Sequence, residues 1–201
     1  MALPRRIALA TKNEHKLIEI KRICSDWPVE WVTVHDRDAG TFPDVDETGE
    51  TYLDNAALKA RAVADALGIP ALADDSGIEV DALGGRPGPR SARFAGADAT
   101  DERNLAELIR SVRGIPAAGL TACYRCVAAA AQPGGELIST EGLCEGTLIT
   151  KPRGSGGFGY DPIFVPVGWG RTMAELEPDE KDRISHRGRA FRALRAVLID
   201  G

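Results

Sequence analysis

The 201-residue sequence is poor in aromatic side chains, with three tryptophans, three tyrosines and five phenylalanines. Its core must therefore rest on alanine, valine, leucine and isoleucine. It also lacks an excess of positive charge. Thirty acidic against 25 basic residues leave a formal net charge of −5. That argues against general binding to nucleic acid or to an anionic membrane, partners that need a positive field. No apolar run approaches the roughly 20 residues of a membrane span. Within Met1 to Ala10 the apolar run Ile7-Ala8-Leu9-Ala10 is too short for the core of a signal peptide. A cytoplasmic protein is the expectation. The chain is not short of apolar residues, at 43 %, with 27 % charged. That balance is ordinary for a globular protein and excludes a mainly disordered one. The length suffices for one domain, or for two lobes sharing a core.

Several catalytic signatures are missing. There is no G-x-x-x-x-G-K-[ST], which excludes a P-loop nucleotidase, and no H-E-x-x-H, G-x-S-x-G or paired-cysteine zinc spacing. Cysteines stand only at 24, 123, 126 and 144. Cys123 and Cys126 form a C-x-x-C, but Leu120 to Ala130 reads as a buried strand. Residues three apart on a strand point to opposite faces, so core thiols are expected rather than a redox pair.

What is present is a mixture of helices and strands with no internal repeat. Arg6 to Ala10 reads as a strand, followed by a polar connection and a helix carrying Leu17, Ile20, Ile23 and Cys24, with Asn13 as its N-cap. Trp31 to Val34 reads as a second strand. A helix is expected from Tyr52 to Leu67, stopped by Gly68 and Pro70. Ala71 to Ala73 reads as a buried strand running into a turn, Asp74-Asp75-Ser76-Gly77, after which a strand resumes over Ile78 to Ala82. Asp101 to Val112 is an amphipathic helix. Leu120 to Ala131 and Glu136 to Thr140 make a hairpin-like pair, Leu143 to Ile149 another strand, and Pro162 to Pro166 an edge strand. Ser185 can cap a last helix carrying Phe191, Leu194 and Leu198. This pattern predicts α/β or α+β with a mixed sheet.

Four constellations could carry chemistry. At Thr11 to Lys16 a helix N-terminus, flanked by Lys12 and Lys16, suits a phosphate chain, or is simply a capped helix with solvated lysines. Asp46 and Glu47 in one loop, with Asp74 and Asp75 at the end of a strand, suit a hard cation such as Mg²⁺; equally, they could be turn formers. Gly154, Gly156 and Gly159 satisfy G-x-G-x-x-G by letter. Pro162 and Pro166 follow within a few residues, so no helix can open there and a dinucleotide site is not expected. Phe158 and Tyr160 beside those glycines could face a planar base, or could pack in the core. Lys181 and Arg187, around Ser185 and His186, could meet phosphate or base edges, or form a basic solvated helix entry.

Taken together, these segments resemble the inosine triphosphatase family, the pyrophosphatases of deaminated purine nucleoside triphosphates. The resemblance runs from Ile7 to Leu198. It is carried by Ala10 to Lys16, Glu47-Thr48-Gly49, Asn55-Ala56 with Leu58-Lys59-Ala60, Ala73 to Gly77, Leu83-Gly84-Gly85 with Pro87-Gly88, Ser91-Ala92-Arg93, Gly156 to Pro162, Lys181, and Ser185 to Gly188. It implies an α/β fold with an elongated mixed β-sheet and flanking helices, a single domain over 1–201 whose two lobes share one sheet around a central cleft, and a homodimer. It implies Mg²⁺-dependent hydrolysis of ITP, dITP and XTP to the monophosphate and pyrophosphate. By position, Thr11, Lys12, Asn13, Glu14, His15 and Lys16 would cradle the triphosphate, with Lys59 a further phosphate contact. Glu47 and Asp75 would be the metal-linked carboxylates, Asp75 the proton acceptor, and Ser76 a substrate contact. Phe158, Gly159, Tyr160 and Asp161 would line the base pocket, with Phe158 stacking. Lys181, His186 and Arg187 would close on the nucleotide. Lys12 and His15 depart from the family pattern, in which many members have glycine at both positions. A donor such as Arg187 would select the O6 of hypoxanthine or xanthine over the amino group of adenine. An NAD-dependent oxidoreductase and a non-catalytic nucleotide sensor are the alternatives.

Overall fold

The computed structural model describes residues 5–36 and 41–199. Met1 to Pro4, part of the N-terminal segment read above, lie outside them. The fold is mixed α/β. One six-stranded sheet has the order β2-β1-β3-β4-β5-β6. Its strands are β1 (Arg6–Leu9), β2 (Glu30–Val32), β3 (Ala71–Val80), β4 (Thr121–Ala131), β5 (Leu137–Leu148) and β6 (Phe164–Pro166). The helices are α1 (Glu14–Ile23), α2 (Tyr52–Leu67), α3 (Asp101–Ser111), α4 (Pro178–Ile184) and α5 (His186–Leu198). β1 runs parallel to both β2 and β3, whereas β6 runs antiparallel to β5, so the sheet is mixed as expected.

The chain forms two compact units. Unit 1 takes residues up to Asp75, then Cys126–Gly142 and the stretch from Arg187 onward; unit 2 takes Ser76–Arg125 and Leu143–His186. β3, β4 and β5 each change unit part-way along.

In unit 1 the strands are apolar on both faces. Ala8, Ala10, Ala71, Ala73, Val127 and Ala129 pack on one side with Ala56, Ala60, Val63 and Ala64 of α2. Ile7, Leu9, Leu72, Cys126 and Ala128 pack on the other with Leu17 and Ile20 of α1 and Phe191 and Leu194 of α5. Strands covered on both faces read as near-continuous apolar runs rather than alternating ones. The alanines on α2 let helix and sheet approach closely, which is how a chain so short of aromatics fills this layer. α2 begins at a capping box, Thr51 with Asp54, and ends at Gly68 in the left-handed region. In unit 2 one apolar cluster gathers Ile78, Val80, Tyr124, Cys144, Leu148 and Phe164 with Leu108 and Val112 from the α3 region. Between those inward residues Glu79 and Arg125 pair at 3.0 Å and stay half-buried, an alternation of the one-sided kind.

The structure departs from the sequence reading at three places. The expected turn at Asp74–Gly77 is absent, and β3 runs unbroken from Ala71 to Val80. Asx chemistry favours a turn only while the aspartates are unpaired; here both carboxylates find cationic or amide partners, and the backbone stays in the ladder. Likewise Glu136–Thr140 and Leu143–Ile149 are one strand, β5. The short helix α4 has no counterpart in the sequence reading; Pro178 stands at its first position, where proline is tolerated. Among the described residues no helix is long and apolar enough to cross a membrane.

Candidate active site

In unit 1 the parallel pairing of β1 with β3 covers Ala8↔Ala71 and Leu9↔Leu72. Asp74 and Asp75 therefore emerge on β3 just past the carboxyl end of β1, the region where parallel sheets expose ligand-binding groups. Being adjacent on a strand, they face different surroundings. Asp74 Oδ2 meets Lys16 Nζ at 3.2 Å and the Arg187 guanidinium at 3.1 Å. These cations hold its carboxyl far below the usual range although burial opposes ionisation. Its other oxygen, Oδ1, is buried and accepts no hydrogen bond among the described residues. Arg187 completes the network by donating to Glu19 Oε2 at 2.6 Å.

Asp75 sits in a different balance. Lys59 Nζ lies 2.5 Å from Glu47 Oε1 and 3.4 Å from Asp75 Oδ1, bridging the two carboxylates. Asn55 Nδ2 donates to Asp75 Oδ2 at 3.2 Å. Burial pushes the Asp75 carboxyl up despite the charges of Lys59 and Lys16, and the nearby anions Glu47 and Asp74 add to the rise. Burial works against the Lys59 ammonium, yet Asp75, Asp74 and Glu47 outweigh it and raise its pKa. Two carboxylates with a cation already between them form an oxygen donor set of the hard kind. One or two carboxylates, completed by water and phosphate oxygens, suit a small divalent cation. Among the described residues no group of three or more His, Cys, Asp or Glu comes together as a metal site.

The loop before α1 presents its N-cap as expected: Asn13 Oδ1 accepts from Lys16 N–H at 3.0 Å. Thr11 Oγ1 accepts from Asn13 N–H at 3.2 Å. Lys12 pairs with Asp44, and Glu14 with His35. His15 lies exposed on the first turn.

In unit 2 the glycine-rich segment turns without opening a helix. Asp161 Oδ2 accepts from Phe158 N–H at 2.9 Å and from Lys181 Nζ at 2.6 Å, while Oδ1 accepts from the Tyr124 hydroxyl at 3.2 Å. Gly157 has φ +67° and a Cβ there would lie 2.0 Å from Asp161 Oδ2, so only glycine permits this grip. Phe158 is half-buried with Lys181 Nζ 5.1 Å from its ring centroid. His186 stacks on Tyr124, centroids 4.5 Å apart and rings 5° from parallel. Gly159 N–H is held by Asp101 at 3.0 Å.

These carboxylates, lysines and the glycine turn occur within one continuous family profile, that of the Ham1 family, which matches residues 7–197. The chain belongs to the Ham1 family. It is 48 % identical over 190 residues to the dITP/XTP pyrophosphatase of Geobacillus kaustophilus, covering 94 % of this chain and 92 % of that one. It is 47 % identical over 193 residues to the dITP/XTP pyrophosphatase of Streptomyces coelicolor, covering 96 % of each. A solved Ham1 protein from Coxiella burnetii superposes with a TM-score of 0.86 at 38 % identity, covering 98 % of this chain and 100 % of that one.

Within this Ham1 chain, Lys16, Glu47, Lys59 and Asp75 gather in unit 1, and Phe158, Asp161, Lys181 and His186 in unit 2. Three expected ligand contacts are otherwise engaged. Tyr160 is a core residue, 5 % exposed, its hydroxyl donating to the Ser91 carbonyl at 2.7 Å. Asp161 is 3 % exposed and takes up three donors from its own unit. The guanidinium of Arg187, expected at a purine O6, is enclosed by Asp74 and Glu19. Ser76 follows Asp75 on β3, half-buried. Asn55, Glu19 and Tyr124 were missed as site residues. For Asn55 a signal existed: a polar residue at a core-facing helical position, three after Tyr52 and one before Ala56.

Proposed function

We propose that this chain hydrolyses non-canonical purine nucleoside triphosphates (ITP, dITP and XTP) to the monophosphate and pyrophosphate, with magnesium as cofactor. The observation that carries the reading is the Lys59 bridge between Glu47 and a buried, pKa-raised Asp75. The relatives named dITP/XTP pyrophosphatase support the substrate class.

Attack on phosphorus is opposed by the negative charge around it, so catalysis is largely neutralisation and positioning. Lys16 and the N-terminus of α1 face the phosphate chain from one side, and Lys59 from another. Asp75 takes the proton of the attacking water. Before any cation binds, burial raises the Asp75 carboxyl towards the pKa that suits a general base. Glu47 and Asp75 would hold magnesium, which supplies neutralisation of phosphate charge and a lowered pKa for water. Arg187 acts at one remove, holding Asp74 and Glu19 in place. Phe158 stacks on the purine, and Lys181 and His186 supply its polar edge. Hypoxanthine and xanthine carry an acceptor at O6 where adenine carries a donor; a donor left unpaired by adenine costs about 1–3 kcal/mol. The chain works in the cytoplasm as a homodimer, as the family resemblance implies; light scattering should give twice the mass of one chain, and a monomeric mass overturns the dimer.

The experiment supplies ITP, dITP, XTP, GTP and ATP with magnesium and identifies the phosphorus product by NMR. Pyrophosphate from the first three, with little from ATP, is expected. Orthophosphate as the product, or equal turnover of ATP, overturns the reading.

A further inference from the structure

Asn55 stands on the first turn of α2 with no exposed surface. A buried amide in a helix that otherwise packs alanines on the sheet needs partners for both ends of its side chain. It has them. Its Oδ1 accepts from Gly49 N–H at 2.8 Å, and its Nδ2 donates to Asp75 Oδ2 at 3.2 Å. One side chain thus ties the loop that carries Glu47 to the strand that carries Asp75.

The loop is shaped for this contact. A Cβ at Gly49 would lie 2.5 Å from Asp54 Cβ and 2.7 Å from Asn55 Oδ1. The peptide approaches α2 closely enough to reach the amide only because residue 49 has no side chain. Asp54 is fixed in turn, since it completes the capping box with Thr51. The helix start therefore sets the position of Asn55, and Asn55 sets the loop.

At the other end the effect is on one oxygen of Asp75. Oδ2 is held by the amide, which leaves Oδ1 turned towards Lys59 and, through it, towards Glu47. A carboxylate has two equivalent oxygens and a soft terminal torsion. The amide of Asn55 selects this rotation from the Oδ2 side.

We infer that Asn55 is a positioning residue for catalysis: it fixes the rotation of the Asp75 carboxylate and clamps the Glu47 loop to it in one register. The inference rests on the proposed hydrolase reading. It predicts a loss in the chemical step rather than in binding, because Asn55 reaches the nucleotide only through Asp75 and the loop.

The test uses the full-length protein with XTP and excess magnesium, and two variants. Asn55→Asp keeps an acceptor for Gly49 N–H but loses the donor to Asp75. Asn55→Ala loses both. Misplacing a reacting group by about 1 Å typically costs about 10²-fold in rate. A fall of that order in kcat is expected for both variants, with KM changed less than about threefold. The thermal midpoint of Asn55→Asp should fall, because a second buried carboxylate then faces Asp75, so kcat is read at a temperature below the midpoint of each variant. Asn55→Asp with wild-type kcat overturns the inference, since the loop bond alone would then suffice. A fall in kcat matched by a proportional rise in KM also overturns it. Should either variant fail to fold, the other decides alone, and wild-type kcat in it overturns the inference. A wild-type chain that leaves XTP intact overturns the hydrolase reading itself, and is told apart by failing before any variant is compared.

Discussion

In unit 1 the carboxylates of Asp74 and Asp75 are surrounded by Lys16, Lys59 and Arg187, whereas in unit 2 Asp161 meets the ammonium of Lys181 and takes its other hydrogen bonds from Phe158 N–H and the Tyr124 hydroxyl. The two arrangements serve different ends. Asp161 is fully occupied and closes a loop; its charge is spent on structure. Asp75 has one oxygen turned to a lysine that it shares with Glu47, and burial raises its pKa instead of the cations lowering it. Neighbouring Asp74 shows how narrow the difference is: one residue along the same strand, two cations in contact hold it firmly ionised. Along β3, two cations in contact rather than one therefore separate the firmly ionised Asp74 from Asp75, whose pKa burial raises.

Asp75→Asn puts this contrast to the hardest test. It should lower pyrophosphate release about 10²- to 10⁴-fold, the usual cost of a lost base, and leave the protein folded. Because burial raises the Asp75 pKa, its ionisation opposes folding. The sign follows: Asp75 contributes most stability when protonated, and loses it as pH rises through its raised pKa. The thermal midpoint of Asp75→Asn at pH 8 should equal or exceed wild type, an advantage that shrinks as pH falls through the raised pKa of Asp75.

Lys59→Met should lower kcat about 10²-fold, as for loss of one electrostatic contact in a protected site. The ammonium favours the ionised form of Asp75, so its removal raises that pKa further. The acid limb of the kcat/KM profile should move to higher pH, and a limb that stays put would detach Lys59 from Asp75.

The frame is tested by stability. Lys181→Met leaves Asp161 buried without its cation, a loss of about 3–5 kcal/mol for a broken buried pair. Lys16→Met in unit 1 should cost clearly less, since Arg187 still faces Asp74. Equal losses in urea titrations would erase the difference between the units. The smallest effect is expected from Tyr160→Phe, which loses the hydrogen bond to Ser91, about 1 kcal/mol at pH 7. Burial raises the Tyr160 pKa above the ordinary value near 10. Its neutral form therefore stabilises wild type below that pH, and the contribution fades as pH rises beyond it. Melting curves of the two proteins should converge above about pH 10.

Much of the site is visible in the chain before any coordinates. The N-cap at Asn13, the helix from Tyr52 to Leu67 and the failure of the glycine fingerprint to open a helix all follow from local rules, and all are found. Lys16, Lys59, Glu47 and Asp75 are named on one site by resemblance, and the four come together in unit 1. What misleads is chemistry that depends on partners far along the chain. Asp74-Asp75-Ser76-Gly77 is good turn sequence, yet it lies inside a ten-residue strand because Lys16, Arg187, Lys59 and Asn55 answer the two carboxylates. Arg187 likewise looks like a ligand donor in a basic stretch; only folding surrounds it with Glu19 and Asp74, far from it in sequence.

Periodicity, caps and glycine positions act over a few residues, and so the elements and the residue types of the reaction were already written in the order of amino acids. Which carboxylate is neutralised, which is left poised and which amide steers it depend on distances of about 3 Å between segments tens of residues apart. Electrostatic energies at that range change with every contact, and only the packed sheet and helices set those contacts.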